Sequence, residues 1–390
     1  MPAHPNLRVN GRDYRWPVQP LVVVCLDGSP FEYLRQAIAA GVAPCLASLV
    51  ARGFVRMVDA AMPTFTNPNN LSIVTGVAPS IHGISGNFFL DPETGAAVMM
   101  NDASFLRAGT IPAAFSRAGA RVVVMTAKDK LRLLLGAGLD GLCLSAEQEG
   151  VPVYSARLSE HVLGRGVELM RSLTPDLMYL STSDYVQHTH APGSAEANRY
   201  YGVVDGHLAE LDRLGATLVI TADHGMQAKA DAHGQPRIVF LQTILDNWLG
   251  GGRTRVILPI TDPYVAHHGS LGSFAMIYAA DASTAAGITA SLRAVPGVEM
   301  ALTREDACRQ FELPADRTGD VVICADAATV LGTTPSDHDL SVLRAPLRSH
   351  GGLAEQSVPL IFSQPVAKSA AQRARLRNFD VIDIALNHLQ

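Results

Sequence analysis

Apolar positions along this chain fall into two recurring patterns. Four short runs rich in branched residues are continuous rather than alternating: LVVVCLDG from 21, RVVVMTAKD from 121, DLMYLSTSD from 176 and ATLVITADHG from 216. A strand with no polar face is one buried on both sides, as in a parallel sheet. Between these runs lie segments with helical apolar spacing and glycine stops, such as PCLASLVARG at 44–53 and AEANRYYGVVDGHLAELDRLG at 195–215. Strand and helix in alternation predict an α/β fold built on a central, mostly parallel sheet flanked by helices on both faces. From about 235 the texture changes to shorter hairpin-like units, SFAMIYAADASTAAG and GDVVICADAATVLG among them. The expected organisation is therefore a core of residues 1–235 and 341–390, with a smaller α+β cap, or lid, inserted over 236–340. A last strand in SVPLIFS and a C-terminal helix in NFDVIDIALNHL return the chain to the core.

Three of the predicted strands end in an acidic residue and a polar turn, at Asp27, Asp184 and Asp223. Ligands of open α/β sheets bind beyond the carboxyl ends of the strands. Singly each aspartate is well explained as a helix cap, but three such ends point to one crevice. Asp184 and His188 stand four residues apart in SDYVQHTH, with His190 a competing candidate, and Asp223 adjoins His224 in TADHGM. His350 lies beside two glycines in RSHGGL, where close backbone approach is possible. Asp27, Asp184, His188, Asp223, His224 and His350 make a mixed carboxylate and imidazole set suited to two zinc-like ions. His233, His267, His268 and His338, in or near the cap, are expected to be structural or solvated.

A further stretch, MPTFTNPNNLSIVTG at 62–76, crowds two threonines and three asparagines onto the start of an apparent helix. With Pro68 at the first helical position, Asn67 or Thr66 is expected at the cap and the Thr66 hydroxyl at the mouth of the crevice, with Thr64 two residues further out. A hydroxyl there feels the positive end of the helix dipole, and beside a metal ion its alkoxide becomes accessible near neutral pH.

Composition narrows the classes. With 390 residues, 48% hydrophobic and 17% charged, the chain is of ordinary globular type with a sizeable core. A net charge of −5 and the lack of a dense Lys/Arg block remove the footprint of a nucleic-acid binder. The apolar runs are too short to span a bilayer, so no membrane partner is expected. The first residues lack the basic-then-apolar pattern of a secretory signal, which predicts a cytoplasmic protein. The five cysteines show no CxxC spacing and are expected to be buried thiols in a reducing compartment.

CLDG at 25–28, TNPNNLSIVTG at 66–76, SIHGISGN at 80–87, SDYVQH at 183–188, TADHGM at 221–226 and SHGG at 349–352 together resemble the ordered motifs of the alkaline phosphatase superfamily, nearest its nucleotide pyrophosphatase/phosphodiesterase branch. The resemblance implies an alkaline phosphatase-like core and a threonine nucleophile nine residues before the TG pair, which selects Thr66. It also implies two Zn2+ ions, replaceable by Mn2+ or Fe2+: one on Asp184, His188 and His350, the other on Asp27, Asp223, His224 and the Thr66 oxygen. The FTNPNN wording, Asn87 in SGNFF, and Lys128 and Lys130 in TAKDK are similar to members that hydrolyse the carbon–phosphorus bond of a small carboxylated phosphonate. That similarity implies Asn87 on a phosphoryl oxygen, the two lysines on the carboxylate, and a homodimer. Rival expectations are a phosphodiesterase or phosphomonoesterase on the same core, or a non-catalytic metal-binding relative.

Overall fold

A computed structural model describes residues 6–91, 93–261, 269–343 and 345–390; His267 and His268 lie outside the described residues. Seven strands form the central sheet: β1 (Leu21–Cys25), β2 (Phe54–Asp59), β3 (Val122–Thr126), β4 (Leu142–Ser145), β5 (Leu177–Ser181), β6 (Thr217–Thr221) and β7 (Ser357–Phe362). Their spatial order is β2-β7-β6-β1-β5-β3-β4. The pairs β6–β1, β1–β5, β5–β3 and β3–β4 are parallel. Strand β7 runs antiparallel to both β6 and β2. The sheet is thus mixed, with one reversed strand among parallel neighbours.

The continuous apolar runs are explained by the two faces. Leu21, Val23 and Cys25 of β1, with Leu177 and Tyr179 of β5, enter one core, shared with Leu71, Ile73 and Val74 of the helix at Thr66–Thr75. Val22 and Val24, with Met178 and Leu180, enter the opposite core beneath the helices Phe31–Ala39, Pro44–Arg52, Arg157–Leu173 and Ala195–Arg213. Alternate side chains leave opposite faces of a strand, so both parities must be apolar when both faces are covered. Strand β2 escapes this pattern because it is an edge strand with mostly half-buried positions.

A second sheet of four antiparallel strands lies within the segment expected to form the cap, in the order Thr254–Ile257, Phe274–Ala279, Val321–Ala325, Val298–Thr303. Its core includes Met62 and Phe65, so this sheet is seated directly on the turn that leads into the helix at Thr66. No single described helix is long and apolar enough to cross a membrane. All five cysteines are free; Cys25 and Cys324 are buried, whereas Cys45, at the start of the helix Pro44–Arg52, Cys143, on the edge strand β4, and Cys308, in the helix Arg304–Phe311, are only half-buried.

The helix start at 62–76 differs from expectation. The helix begins at Thr66 with Phe65 as its N-cap, and no side chain caps it. Asn69 instead closes the turn that precedes the helix: its Nδ2 donates to the carbonyls of Ala61, Pro63 and Phe65, and its Oδ1 accepts from Ala61 N at 2.7 Å. The reason is burial. From Ala60 to Pro79 every residue but Thr66 is buried, so orphan backbone groups at this turn find side-chain partners rather than water.

The same helix is pinned by a buried neutral histidine. Ile84 N donates to His82 Nδ1 at 3.1 Å, so the ring proton is on Nε2 and is donated to Ser72 Oγ at 2.9 Å. Burial lowers the His82 pKa from its ordinary 6.5 to about 3. An unfolded His82 takes up a proton below pH 6.5 that the folded ring refuses, so its contribution to stability is complete above 6.5 and is lost as pH falls from 6.5 toward 3. Between pH 7 and 5 the loss should be about 2 kcal/mol. Chemical denaturation of wild type and His82→Gln at the two pH values should show the gap between them narrowing by that amount; parallel pH dependences would exclude the buried neutral ring.

Candidate active site

The register of the sheet brings the acidic residues together. Thr221 pairs with Cys25, and Cys25 with Ser181, at the carboxyl ends of three adjacent parallel strands. Asp223 and Asp27 stand two residues beyond those ends and Asp184 three beyond, with neighbouring strands about 4.8 Å apart. Thr126 pairs with Ser181 on the other side, so Lys128 also leaves its strand end two residues out. Gly28 (φ +64) lets the turn after Asp27 pass Asp184, since a Cβ there would meet Asp184 Cβ at 2.8 Å. His350 is carried by the loop before β7, where Gly351 (φ +121) packs on the Phe65 ring; a Cβ would meet that ring at 2.5 Å.

Two groups of ligand atoms lie close enough to hold a cation: Asp184, His188 and His350, and Asp27, Asp184 and His224, all buried. His188 Nε2 is 2.9 Å from Asp184 Oδ2, and His350 Nε2 is 3.6 Å from the same oxygen. His224 Nε2 is 3.2 Å from Asp27 Oδ1. Asp223 holds a different position: its Oδ1 accepts from Gly28 N and His224 N, its Oδ2 accepts from Asn70 Nδ2, and that Oδ2 lies 3.7 Å from His224 Nε2.

Each histidine is oriented by its other nitrogen. Nδ1 faces a backbone carbonyl in all three: Arg348 O for His188 (2.7 Å), Gly225 O for His224 (2.9 Å) and Thr64 O for His350 (2.8 Å). A carbonyl only accepts, so Nδ1 carries the proton and the Nε2 lone pairs are turned toward the carboxylates. Lone pairs against anionic oxygens repel unless a proton or cation stands between them. Metal-ligating histidines are oriented in this way.

The ionisation behaviour carries the same message. Burial, then the Asp184 and Asp223 charges, raise the Asp27 pKa well above the ordinary carboxylate range. Burial opposes charge on His224, but Asp223, Asp27 and Asp184 outweigh it and push the ring up to about 10. Burial, with His224 and His350 stacked at 3.7 Å and His188 also close, holds His350 well below its ordinary value. Asp27 Oδ1 is buried without a hydrogen bond. Buried anions facing imidazole lone pairs are the donor set that divalent cations of zinc type accept, so the residues fit such ions.

Thr66 Oγ1 lies 3.4 Å from His224 Nε2 and lines the pocket above the two groups. The Thr64 hydroxyl is engaged elsewhere, donating to Gly352 O and accepting from Gly351 N. Asn87, Lys128, Lys130, Asp27, Asp184 and His350 line the same pocket, together with Phe65, Leu131 and Ile260. Lys128 Nζ is 3.9 Å from Asp184 Oδ1. Asn87 is fixed at both ends of its amide: Oδ1 accepts from Asn67 Nδ2 at 2.9 Å, and Nδ2 donates to Ile260 O at 3.2 Å.

Other candidates sit elsewhere. His190 stands outside both ligand groups, and its carbonyl accepts from the Tyr33 hydroxyl. His233 is exposed. His338 is buried, donating from Nδ1 to Gly269 O and accepting at Nε2 from Thr333 N.

Asn67, expected only as a helix cap, and Asn70 are parts of the site that sequence reasoning did not identify, although the density of asparagines was the available signal. Asn70 Nδ2 donates to Thr66 O and Asp223 Oδ2, while its Oδ1 accepts from Tyr179 and Ser181 hydroxyls. It ties the backbone of Thr66 to an acidic strand end.

Residues 21–353 match the family model described as type I phosphodiesterase / nucleotide pyrophosphatase. The structure is similar to that of phosphonoacetate hydrolase from Sinorhizobium meliloti, solved in complex with phosphonoformate and with phosphonoacetate, at TM-score 0.94 and 50% identity, covering 98% of this chain and 99% of that one. Murine ectonucleotide pyrophosphatase/phosphodiesterase 5 in complex with AMP superposes at TM-score 0.67 with 20% identity, over 95% of this chain and 96% of the other, a likeness of fold alone. Among curated relatives, a pyrophosphatase/phosphodiesterase of Schizosaccharomyces pombe is 41% identical over 76 residues, 19% of this chain. The mouse ectonucleotide pyrophosphatase/phosphodiesterase family member 1 is 28% identical over 228 residues, 53% of this chain. The matched stretches span only 15% and 24% of those two proteins.

Asp184 belongs to both ligand groups. Asp184→Asn should therefore lower divalent-ion binding, first at the group it shares with His188 and His350, read as metal content after dialysis against a weak chelator. A wild-type complement in this variant would remove Asp184 from the ligand set.

Proposed function

The chain belongs to the type I phosphodiesterase / nucleotide pyrophosphatase family, and on that premise we propose that it hydrolyses the carbon–phosphorus bond of phosphonoacetate to acetate and phosphate. The observation that carries the proposal is one pocket holding Thr66, Asn87, Lys128 and Lys130 beside two buried carboxylate–imidazole groups. Half-identity over nearly the whole chain to an enzyme of that name supports it further.

In this reading Asp184, His188 and His350 hold one divalent ion, and Asp27, Asp223, His224 and the Thr66 oxygen hold the second, with zinc the resident metal. The bound ions would supply charge neutralisation for the phosphoryl oxygens and lower the pKa of the Thr66 hydroxyl and of a hydrolytic water. Thr66 Oγ attacks phosphorus in line. The P–C bond breaks, and its electron pair passes to the methylene carbon and delocalises into the adjacent carboxylate. Lys128 and Lys130 bind that carboxylate and offset the enolate-like charge as it forms. The carbon takes a proton and acetate departs, leaving a phosphothreonine. Water then attacks its phosphorus, the P–Oγ bond breaks, and Thr66 regains its proton as phosphate leaves.

Asn87 has one N–H committed to Ile260 O and the other available to a phosphoryl oxygen. Because Asn67 fixes its Oδ1, the amide cannot flip to present its oxygen to the substrate. We read residues 236–340 as a cap over this pocket, limiting water around the carbanion-like state.

Two substitutions test the roles. Thr66→Ala should abolish phosphate release from phosphonoacetate while zinc is still retained through the carboxylate and imidazole ligands; surviving turnover would move the nucleophile elsewhere. Lys128→Ala should lower kcat/KM for phosphonoacetate by about 10²–10³-fold, consistent with loss of one group that stabilises developing charge. Hydrolysis of a nitrophenyl phosphate ester, which carries no carboxylate, should fall far less, and equal damage to both would undercut the carboxylate role.

A further inference from the structure

Among the described residues, Lys229 and Glu355 form an ion pair of 2.8 Å with both side chains fully buried. Neither lines the pocket, and neither belongs to a ligand group. Removing two charges from water costs more than their attraction usually returns, and apolar side chains of similar volume commonly do as well or better for stability. The placement of this pair therefore calls for a reason other than stability.

That reason lies in what the two residues touch through their side chains and backbone. Glu355 Oε2 accepts from Gly352 N at 2.9 Å, and the Glu355 carbonyl accepts from Gly225 N at 2.7 Å. Gly225 follows His224 directly, and Gly352 is two residues past His350. Lys229 Nζ holds Glu355 Oε1 and also donates to Ala327 O at 3.0 Å, in the turn after the strand Val321–Ala325 of the second sheet. Lys229 N donates to Leu347 O, beside the two-residue ladder that pairs Gln227–Ala228 with Arg348–Ser349. Two glycine-rich loops with almost no regular structure thus carry two imidazoles that stack 3.7 Å apart and 8° from parallel. A directed, charged acceptor fixes such loops where apolar packing would leave them free to slide.

We propose that Lys229 and Glu355 are positioning residues for the cation-binding centre: their ion pair ties the loop of His224, which carries Lys229, to the loop of His350, which carries Glu355, and Lys229 links both loops to the second sheet. The proposal rests on the reading that the buried carboxylate–imidazole groups bind divalent ions.

The test compares Lys229→Met/Glu355→Leu with Lys229→Met/Glu355→Gln. Both pairs are uncharged, but only the glutamine keeps an acceptor for Gly352 N. Zinc affinity is read by competition with a chromophoric chelator, stability by thermal unfolding, and kcat and KM at saturating zinc. The leucine variant should remain folded with zinc affinity weakened by about 10–100-fold, the range found when groups that orient metal ligands are removed. Its kcat should fall with KM little changed, and the glutamine variant, which loses the bonds of Lys229 but keeps an acceptor for Gly352 N, should fall between it and wild type. Equal zinc affinity and kcat in the two variants would overturn the clamp. Should either fail to fold, Glu355→Asp keeps the charge opposite Lys229 but shortens its reach to Gly352. Weakened zinc binding in that variant at an unchanged melting temperature supports the proposal, and unaltered zinc binding rejects it. Failure of the wild-type protein to bind zinc would instead refute the underlying reading.

Discussion

The structure turns on the mutual repulsion of carboxylates buried at the ends of adjacent parallel strands. Register places Asp223, Asp27 and Asp184 over β6, β1 and β5, with hardly any solvent to separate them. Anions in such a place are tolerated only if protonated, hydrogen-bonded or met by cations. The chain uses different remedies for different members. Asp223 is satisfied by two backbone amides and Asn70. Asp27 and Asp184 face imidazoles whose protons have been drawn to the far nitrogen by backbone carbonyls. The second arrangement leaves negative charge and lone pairs converging on the same space, which is a demand for a divalent cation built into the fold.

Neighbouring elements follow from that demand. The helix at Thr66–Thr75 has no solvent face, so it cannot be stabilised by ordinary amphipathic packing with water at its N-terminus. Its asparagines divide the work: Asn67 orients Asn87, Asn69 closes the turn from Ala61 to Phe65, and Asn70 joins the Thr66 carbonyl to Asp223. The one residue of that turn left without full burial is Thr66. The second sheet reaches the same place from above, through Phe65 in its core and through the Ile260 carbonyl on Asn87. Hydroxyl, amide and acidic strand ends are consequently held by one continuous set of contacts.

Parallel strands announced themselves because both faces are covered, and a strand end with an acidic residue is visible one residue at a time. The strands and acidic ends at Asp27, Asp184 and Asp223 were legible for those reasons. Strand β2 was not, since an edge strand with a half-buried FVRMVD pattern carries weak periodicity. Nor was the reversal of β7, because strand direction depends on the path of the connection and not on the strand's own residues. Lys229 and Glu355 look like ordinary surface residues in sequence, where burial of a charged pair leaves no trace. Helix capping failed at Thr66 for a similar reason: a side chain four residues into the helix, Asn69, supplied the turn's bonds, and local start signals do not register a partner arriving from there.

Electrostatic balance also argues for what the pocket accepts. A phosphoryl group entering beside Asp27 and Asp184 meets negative charge unless divalent ions are already there, so phosphoryl binding and cation binding are linked. A substrate carboxylate adds a further negative charge at the opposite end of a short molecule, beyond the reach of those ions. Lys128, 3.9 Å from Asp184 Oδ1, is held by that anion at the pocket wall rather than left to extend into water. Lys130 lines the same pocket, as do Phe65, Leu131 and Ile260. On the proposed function, that lining would favour a molecule with anions at both ends and a short apolar link between them. A phosphonate carrying a carboxylate on its next carbon has that form, and in the proposed reaction the lysines would offset the charge its leaving carbon acquires.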